Sequence, residues 1–417
     1  MAELCRMFSR NSPRLFHRGA VKPVIALVAG LWAIPAAPET SSEPVTVHRR
    51  ADAAPVSILF GGDTYFGEHE FEQAAREGGL NLLSEKGYHH SLRRLAPLLA
   101  ASDLVVLNLE TPILYDRNLT PNRKSQIGYP VHSGTSPKTE EALRAAGVTA
   151  VSIANNHAMD FEEAGLSQTL ASLDAAGIHA FGAGLNAMEA ARPLRLRIEA
   201  RSGSLDVFVV GGYAYRKRYD KQFGFYSSTE KSGVWLLEAR AVSQQIREIR
   251  QGFPEALIIA FPHWGWNYAW KDSSQTRIAR TMIEAGADLI LGHGAHRLQE
   301  VQRYKGRWII YSLGNFVFNT MGRYRKLKSP PFSLVARLLV EDAGDVPRVR
   351  LRLYPIVSDN TIVDFQPRPV DLVELGRLME GPGFPLRPRL DEFGYFFQVN
   401  VWPIEKGAEA IHASQGD

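Results

Sequence analysis

Acidic, amide and imidazole side chains follow five apolar runs in this sequence. They are Asp63, Asn108, Glu110, Asn156, His157, His263, His293 and His296. The runs are rich in β-branched residues and predict buried strands, and strand carboxyl ends in an α/β sheet meet at a common crevice. One or two divalent cations require carboxylate, amide and imidazole ligands of this kind, and the mixture favours Zn, Mn or Fe over Ca or Mg. The sequence therefore predicts a metal site.

Single members of this set also have simpler interpretations. Asp63 would serve equally well to cap a turn, and His263 would serve as a structural histidine. Asp160 stands three residues before Glu163 at a predicted helix start, so we expect it to be at least partly an N-cap. In "SLGNFVF" (312–318) the Gly-Asn pair is a turn signal, which favours packing beneath the site over chemistry. The prediction of a metal site depends on the whole set.

The elements that must position these residues alternate between strands and helices. Ser136 and Pro137 open a predicted helix, another follows Asp160 and ends at Gly177, and a third around 278–285 is stopped by Gly286. Several strands are apolar without alternation, as expected when helices cover both faces of a sheet. The later strands alternate and indicate a second, partly antiparallel sheet. We predict an α/β fold with two sheets packed between helices.

The composition excludes several other functions. Of 417 residues, 45% are hydrophobic and 22% are charged, and the net charge is only +4. This mild excess lacks the concentrated basic face of a nucleic-acid-binding protein, so we expect no nucleic-acid partner. The single cysteine, Cys5, precedes an apolar N-terminal stretch. The mature protein would therefore have no disulfide, thiol nucleophile or cysteine-based zinc site.

The N-terminal segment has the pattern of a secretory signal. Basic residues precede the stretch "VIALVAGLWAIPAA" (24–37), which ends in small residues. This stretch is short for a bilayer span, which needs about 20 apolar residues. We predict export to the periplasm or cell envelope, with an uncleaved membrane anchor through 24–37 as the alternative. We assign 1–37 to the signal or anchor, 38–55 to a linker, 56–370 to the main domain, and 371–417 to an extension that packs on the domain or is partly disordered.

Six motifs in this order resemble a known family. They are "GD" (62–63), "NLE" (108–110), "ANNHAMD" (154–160), "HWG" (263–265), "GHGAHRLQ" (292–299) and "YSLGNFVF" (311–318). Together they resemble the poly-gamma-glutamate capsule synthesis family, often called CapA, of the calcineurin-like metallophosphoesterase superfamily. The resemblance covers about residues 56 to 360. It implies a four-layer α-β-β-α sandwich of two mixed sheets and flanking helices, with one or two divalent metal ions.

The resemblance also implies roles for the candidate ligands. Asp63 and His296 would bind the first metal, and Glu110 would occupy the bridging position. The second-metal ligands would be Asn156, His263 and His293. Where the superfamily usually has a histidine, two residues after the first aspartate, this chain has Tyr65. The first metal would therefore have one protein ligand fewer.

The same resemblance assigns the catalytic residues. His157 would face the substrate and stabilise or protonate the leaving oxygen, and Asp160 would orient it. The family commonly has Glu where this chain has Asn267, which suggests a different specificity. The candidate substrate-binding residues are Asn108, Asn155, Trp264, Asn267, Arg216 and Arg218. Asn155 is expected mainly to hold the turn through a hydrogen bond.

Two loops bear on the choice between functions. Residues 212–228 and 321–331 contain clustered Arg and Lys, which would suit an anionic polymer or phosphoester ligand if they frame the crevice. Simple solvated loops are the alternative. The first functional hypothesis is an exported metal-dependent hydrolase or transferase of phosphoester type in capsule polymer biosynthesis. The others are a non-catalytic polymer-binding assembly factor acting with membrane-bound capsule synthesis or export proteins, a phosphoesterase unrelated to capsule, and a purely structural exported domain.

Overall fold

A computed structural model describes residues 43–48, 55–200, 203–342, 347–381 and 386–402. The predicted signal or anchor at 1–37 lies outside these residues. The strands are β1 (Val45–His48), β2 (Val56–Tyr65), β3 (Leu104–Leu109), β4 (Ile113–Leu114), β5 (Gly134–Thr135), β6 (Ala150–Ser152), β7 (His179–Phe181), β8 (Ala183–Gly184), β9 (Leu194–Ala200), β10 (Gly203–Ala214), β11 (Gly233–Val234), β12 (Leu236–Leu237), β13 (Leu257–His263), β14 (Leu289–Leu291), β15 (Val301–Tyr304), β16 (Arg307–Ile310), β17 (Asn315–Phe318), β18 (Phe332–Asp342), β19 (Pro347–Val357), β20 (Arg368–Pro369), β21 (Pro388–Asp391) and β22 (Gly394–Trp402).

Helices occupy much of the sequence between these strands. They are α1 (Glu68–Arg76), α2 (Leu82–Lys86), α3 (His89–Leu92), α4 (Ala96–Ala100), α5 (Arg123–Gln126), α6 (Lys138–Ala145), α7 (Glu162–Ala175), α8 (Ala187–Ala191), α9 (Lys217–Lys221), α10 (Ala239–Gly252), α11 (Ser273–Ala285), α12 (Asn360–Val363) and α13 (Leu372–Met379).

Two large mixed sheets organise the domain. In the first sheet the strand order is β21-β22-β19-β18-β2-β3-β6-β7, with β17 also paired to β2 and β20 to β19. In the second sheet the order is β1-β9-β10-β13-β14-β16-β15, with β12 also paired to β10. Within the first sheet β2, β3, β6 and β7 are parallel, and within the second β10, β13, β14 and β16 are parallel. Each parallel set therefore presents its carboxyl ends along one edge.

Three clusters of buried apolar side chains define the layers. One cluster combines both sheets, and in it the rings of Phe60 in β2 and Phe261 in β13 have centroids 5.8 Å apart. A second covers the other face of the first sheet and includes Leu166 of α7. A third covers the other face of the second sheet and includes Met282 of α11. The order is helices, sheet, sheet, helices, which confirms the predicted α-β-β-α sandwich.

Helix α11 illustrates how local sequence sets an element's limits. A capping box between Asp272 and Gln275 begins the helix, and Gly286 ends it with a φ of 117° that favours glycine. The apolar side chains of Ile278 and Met282 lie on one buried face, as a helix packed on a sheet requires. The predicted helix around 278–285 is thus confirmed, and it begins one turn earlier than its apolar pattern.

Two segments that flank the predicted main domain (56–370) belong to its sheets. Within 38–55, where we predicted a linker, β1 forms and pairs in parallel with β9. Val45 and Val47 alternate along β1 and pack against the inter-sheet core, which outweighs the polar composition around them. Beyond residue 370, β22 pairs with β19 and buries Phe397 and Val399. The described part of the C-terminal extension is therefore integral to the first sheet.

Across the described residues, none of the helices combines the length and the apolar character needed to span a bilayer.

Candidate metal centre

The candidate ligands lie at the carboxyl ends of neighbouring parallel strands. Asp63 lies in β2 opposite Asn108 in β3. His263 ends β13 and forms a β-bridge with His293, which follows β14 by two residues. The ligand atoms of Asp63, His263 and His293 lie within 4.8 Å of one another, so the ends of the two sheets converge on one place.

The first ligand group consists of Asp63, His263 and His293. Oδ1 of Asp63 is 3.5 Å from Nδ1 of His293 and 3.9 Å from Nδ1 of His263. The other ring nitrogen of His293 is 3.3 Å from the carbonyl oxygen of Phe261. That contact orients the imidazole so that Nδ1 faces the carboxylate, which is how outer contacts usually fix a ligating histidine. All three ligand side chains are buried.

The second ligand group consists of Asp63, Glu110 and His296. Oδ2 of Asp63 is 3.3 Å from Nδ1 of His296, and Oε1 of Glu110 is 3.7 Å from Nε2 of His296. Glu110 is completely buried, and neither of its carboxylate oxygens has a hydrogen-bond partner within the described ranges. A buried carboxylate without a donor is costly. A divalent cation would satisfy these oxygens, so the residues fit the predicted metal.

Asp63 is the carboxylate that the two groups share. The resemblance placed Glu110 in the bridging position; the structure places it in the second ligand group, and its bridging role stays a prediction. Asp63 lies within β2 and reaches the histidines that follow the second sheet's strands. Glu110 lies one residue beyond β3 and faces His296 and His157, the latter with 3.8 Å between Nε2 and Oε1.

Burial and charge oppose each other in this centre. Burial alone would raise the pKa of Asp63, but contacts with His293 and His296 hold it below its ordinary value. Burial alone would lower the pKa of His296, but the carboxylates of Glu110 and Asp63 raise it to about 9. Burial raises the pKa of Glu110 well above its usual range. A cation bound beside Glu110 would stabilise its ionised form and so oppose this effect of burial.

A hydrogen-bond network beneath the ligands holds Asp63 in place. The backbone N–H of Gly294 donates to both its oxygens at 3.0 and 3.1 Å, and Asn108 donates to Oδ1 at 2.9 Å. Asn155 donates to Asn108 at 3.0 Å and accepts the backbone N–H of His157. Both amides are completely buried. Their predicted contact with substrate is therefore wrong, whereas the predicted role of Asn155 in holding the turn is seen directly.

Asn156 meets the ligand groups through a histidine. It is half-buried, and its Oδ1 lies 2.7 Å from Nε2 of His263. This contact leaves Nδ1 of His263 for the cation and orients the ring. Direct ligation by Asn156 stays a prediction.

His157 and Asp160 form a buried dyad. Nδ1 of His157 and Oδ2 of Asp160 are 2.6 Å apart, so Nε2 of His157 is directed toward Glu110. The expected N-cap role of Asp160 is wrong: α7 has Phe161 at its N-cap, without a side-chain capping bond. The Asp160 carboxylate is turned into the site, where charged and polar donors outcompete the helix N-terminus.

Two residues that sequence reasoning missed complete the dyad's surroundings. Lys124 is completely buried, and its Nζ donates to Oδ1 of Asp160 at 2.5 Å and to the carbonyl of Asn156 at 2.7 Å. His132 donates its backbone N–H to Asp160 and stacks on His157, with centroids 3.6 Å apart. Neither residue follows an apolar run, so the strand-end pattern gave no signal for them.

The tyrosine that replaces the expected histidine extends this stack. The ring of Tyr65 lies 4.0 Å from that of His132 and is nearly parallel to it. Its hydroxyl donates to Glu70, so it is turned away from the ligand groups. Tyr65 thus supports the imidazole of His157 from behind through His132.

The tryptophans beyond β13 divide between core and surface. Trp264 is only 1% exposed, and its indole N–H donates to the carbonyl of Tyr311 at 2.7 Å. Its predicted contact with substrate is therefore wrong. Trp266, which was missed, is 59% exposed, and the neighbouring Asn267 is exposed as well. Substrate contact by Asn267 stays a prediction.

The "SLGNFVF" motif does more than pack beneath the site. Asn315 begins β17 and pairs with Asp63 in β2. Its Oδ1 is 2.9 Å from Nδ1 of His296, and it donates to the hydroxyl of Tyr324 at 3.1 Å. The motif therefore orients a candidate ligand.

Arg216 and Arg218 lie at the start of α9, where the sequence predicted basic loop residues. Arg216 donates to the carbonyl oxygen of Gly265 at 2.5 Å, and Gly265 follows the candidate ligand His263 by two residues. Arg218 donates to the hydroxyl of Tyr129. Their contact with substrate stays a prediction.

The layers and the two buried ligand groups define a protein of the metallophosphoesterase-like class. A family model described as "Bacterial capsule synthesis protein PGA_cap" matches residues 57–320. This chain belongs to that family, which lies in the metallophosphoesterase-like superfamily, as the motif resemblance indicated.

Two curated proteins with similar sequences have names that refer to capsule or PGA biosynthesis. The chain is 28% identical over 320 residues to "Capsule biosynthesis protein CapA" of Bacillus anthracis, covering 74% of this chain and 70% of that protein. It is 28% identical over 236 residues to "PGA biosynthesis protein CapA" of Bacillus subtilis, covering 56% of this chain and 58% of that protein. The match to a solved phosphatase from Mycoplasma pneumoniae covers 77% of this chain and 96% of that chain at 13% identity, with a TM-score of 0.34.

Proposed function

We propose that this protein is a metal-dependent hydrolase or transferase of phosphoester type that takes part in the synthesis or export of a capsule polymer. The observation that carries the proposal is Glu110, a completely buried carboxylate with no hydrogen-bond partner in the described part of the chain. It faces His296 and the dyad histidine His157. Such a residue is explained by a cation beside it and a reacting group close by.

Each residue of the centre has a distinct task in this proposal. Asp63, His263 and His293 would hold one cation, and Asp63, Glu110 and His296 a second, with Mn, Zn or Fe as the expected metals. When bound, divalent cations supply Lewis-acid stabilisation of a phosphoryl group and ease the ionisation of water.

The dyad would handle the proton of the leaving oxygen. Asp160 holds Nδ1 of His157 in a hydrogen bond, which leaves Nε2 to exchange a proton with the leaving oxygen of the bound ligand. Burial lowers the pKa of His157 well below its usual range. The imidazole is therefore neutral until an anionic ligand arrives and favours its protonation.

The pathway comes from the relatives. Their names refer to capsule biosynthesis and PGA biosynthesis, so we assign this chain an anionic capsule polymer, poly-gamma-glutamate or a related one, or a phosphoester precursor as substrate. Membrane-bound capsule synthesis or export proteins are the expected partners. The basic and apolar N-terminal sequence supports export to the periplasm or cell envelope, with anchoring through residues 24–37 as the alternative.

Metal analysis combined with phosphoesterase assays tests the proposal. The full-length chain is loaded with Mn, Zn or Fe, its metal content is measured, and hydrolysis of p-nitrophenyl phosphate mono- and diesters is followed. His157→Ala should lower the rate by about 10²–10⁴-fold and leave the metal content unchanged, because His157 belongs to neither ligand group. His179→Ala, which removes an exposed histidine of β7, should change neither quantity. Absence of bound metal would refute the proposal.

A second candidate function is a non-catalytic assembly factor that holds the polymer. Tyr65 favours this function. Its hydroxyl donates to Glu70 instead of adding a metal ligand, so the second ligand group has three protein donors. Bound metal without turnover on a broad phosphoester panel, together with retention on a polyglutamate resin, would select this function. Turnover that depends on His157 would exclude it.

A further inference from the structure

Helix α9 connects the metal centre to a rim of cationic side chains. Tyr219 of α9 packs on Tyr213, with ring centroids 5.6 Å apart, and Tyr213 contacts His263, with centroids 5.5 Å apart. On its other side Tyr219 lies 5.6 Å from Nζ of Lys124, which holds Asp160. Helix α9 is therefore anchored between the first ligand group and the dyad.

Arg216 lies beside the first ligand group in a fixed position. Its backbone N–H donates to the hydroxyl of Tyr226 at 2.8 Å, and that hydroxyl donates to the carbonyl of Ala214 at 2.7 Å. Its guanidinium lies 3.9 Å from the ring centroid of the exposed Trp266 and donates to Gly265. It also lines a cavity of about 240 Å³ together with Gly265.

Arg218 also contacts an aromatic side chain, in the segment that supports the dyad. Its guanidinium lies 5.5 Å from the ring centroid of Tyr129 and donates to the Tyr129 hydroxyl. Tyr129 belongs to the segment that carries Lys124 and His132, whose contacts hold Asp160. The two arginines therefore contact different segments of the centre, Arg216 the loop after His263 and Arg218 the segment that carries Lys124 and His132.

The charges of both arginines are available to a ligand. Within the part of the chain that the structure describes, neither Arg216 nor Arg218 forms an ion pair with a carboxylate. Each guanidinium uses one terminal nitrogen in the bond to Gly265 or Tyr129, so its remaining N–H groups can donate to an oxyanion. We call Arg216 and Arg218, with Trp266 and Tyr129, the arginine wall.

We propose that the arginine wall selects the ligand of this centre by binding successive oxyanion groups of one linear polyanion beside the reacting group. This inference rests on the proposed function in placing the reacting group at the metal centre. A ligand with a single anionic group would use the cations and leave the wall idle. The shared chemistry is an oxygen anion, supplied by carboxylates or by phosphates.

Binding measurements on the metal-loaded full-length chain test the wall. The probes are a labelled γ-linked glutamate oligomer and, in a parallel arm, inorganic polyphosphate, each followed by fluorescence anisotropy or calorimetry at physiological salt. Arg216→Gln and Arg218→Gln should each raise the Kd by about tenfold. Arg216→Lys should restore only part of the affinity, because lysine cannot form the paired hydrogen bonds.

Lys217 provides a matched control. It lies between the two arginines, carries the same charge and is exposed, so Lys217→Gln should change the Kd by less than about twofold. An effect in the glutamate arm alone identifies carboxylates as the ligand, one in the polyphosphate arm alone identifies phosphates, and effects in both support general oxyanion binding. Equal effects of all three substitutions, unchanged affinities or no binding by the wild type would overturn the inference.

The same measurements separate failure of the wall from failure of the proposed function. Affinity does not require turnover. A chain that binds the oligomer through Arg216 and Arg218 but hydrolyses nothing would support the arginine wall and refute the proposed enzymatic activity. A chain that hydrolyses phosphoesters but binds polyanions equally well without either arginine would support the proposed enzymatic activity and refute the arginine wall. Metal content, unchanged in every variant, verifies that the centre is intact.

Discussion

The buried pair of Lys124 and Asp160 allows a quantitative prediction for Lys124→Met. The side chains are 1% and 0% exposed, and Nζ lies 2.5 Å from Oδ1. Methionine preserves much of the volume but leaves the carboxylate without its cation. Removing one partner of a buried pair costs about 3–5 kcal/mol. Two donors to Asp160 remain, the backbone N–H of His132 and Nδ1 of His157, so we expect a loss of about 3 kcal/mol in the free energy of unfolding at neutral pH.

Urea unfolding followed by far-UV circular dichroism measures this loss, with the m-values compared between variants. Lys86→Met is the matched control. Nζ of Lys86 lies 3.2 Å from Asp364, but these side chains are 40% and 72% exposed. Surface pairs of this kind contribute little, so we expect Lys86→Met to cost less than about 0.5 kcal/mol.

A double substitution tests whether the cost comes from the stranded charge. Lys124→Met combined with Asp160→Asn removes both charges, and we expect it to be at least about 1 kcal/mol more stable than Lys124→Met alone. The reasoning is refuted if Lys124→Met costs no more than Lys86→Met. It is refuted equally if the cost of Asp160→Asn adds in full to that of Lys124→Met.

Two further predictions concern other buried positions. Burial raises the pKa of Glu68 from 4.5 to about 7, so the folded state binds this proton more tightly than the unfolded chain does. The resulting stabilisation is present at low pH and is lost as the pH rises to the folded pKa of about 7. Between about pH 4 and pH 8 the wild type should therefore lose about 3 kcal/mol more unfolding free energy than Glu68→Gln in urea titrations, and equal losses would contradict this. Gly294 has a φ of 98°, and an added Cβ would lie 2.8 Å from Nε2 of His263. Gly294→Ala should therefore lower the free energy of unfolding by about 1–3 kcal/mol and weaken metal binding in a chelator competition. Gly376→Ala is the control, because an added Cβ in helix α13 meets no atom within 4 Å, and it should leave the stability unchanged or raise it.

Much of the fold could be predicted because its signals are local. Helix α11 has its cap, its apolar face and its terminal glycine within one short segment. Strand β1 could not be predicted, because Val45 and Val47 are stabilised by pairing with β9, about 150 residues away. The expected N-cap at Asp160 failed for the same reason: the competing partners of its carboxylate come from Lys124 and His132, outside the local sequence.

The sequence by itself determined which strands end in ligand-type residues, and its ordered motifs determined the family. Residue type and strand pattern are local properties, and parallel strands necessarily bring their carboxyl ends to one edge. Only the tertiary structure decided which contacts each of those residues makes. It made Asp63 the shared carboxylate, turned Asn156 to His263, and placed Lys124 behind Asp160. These choices depend on angles and distances between segments far apart in the chain, which no local pattern encodes.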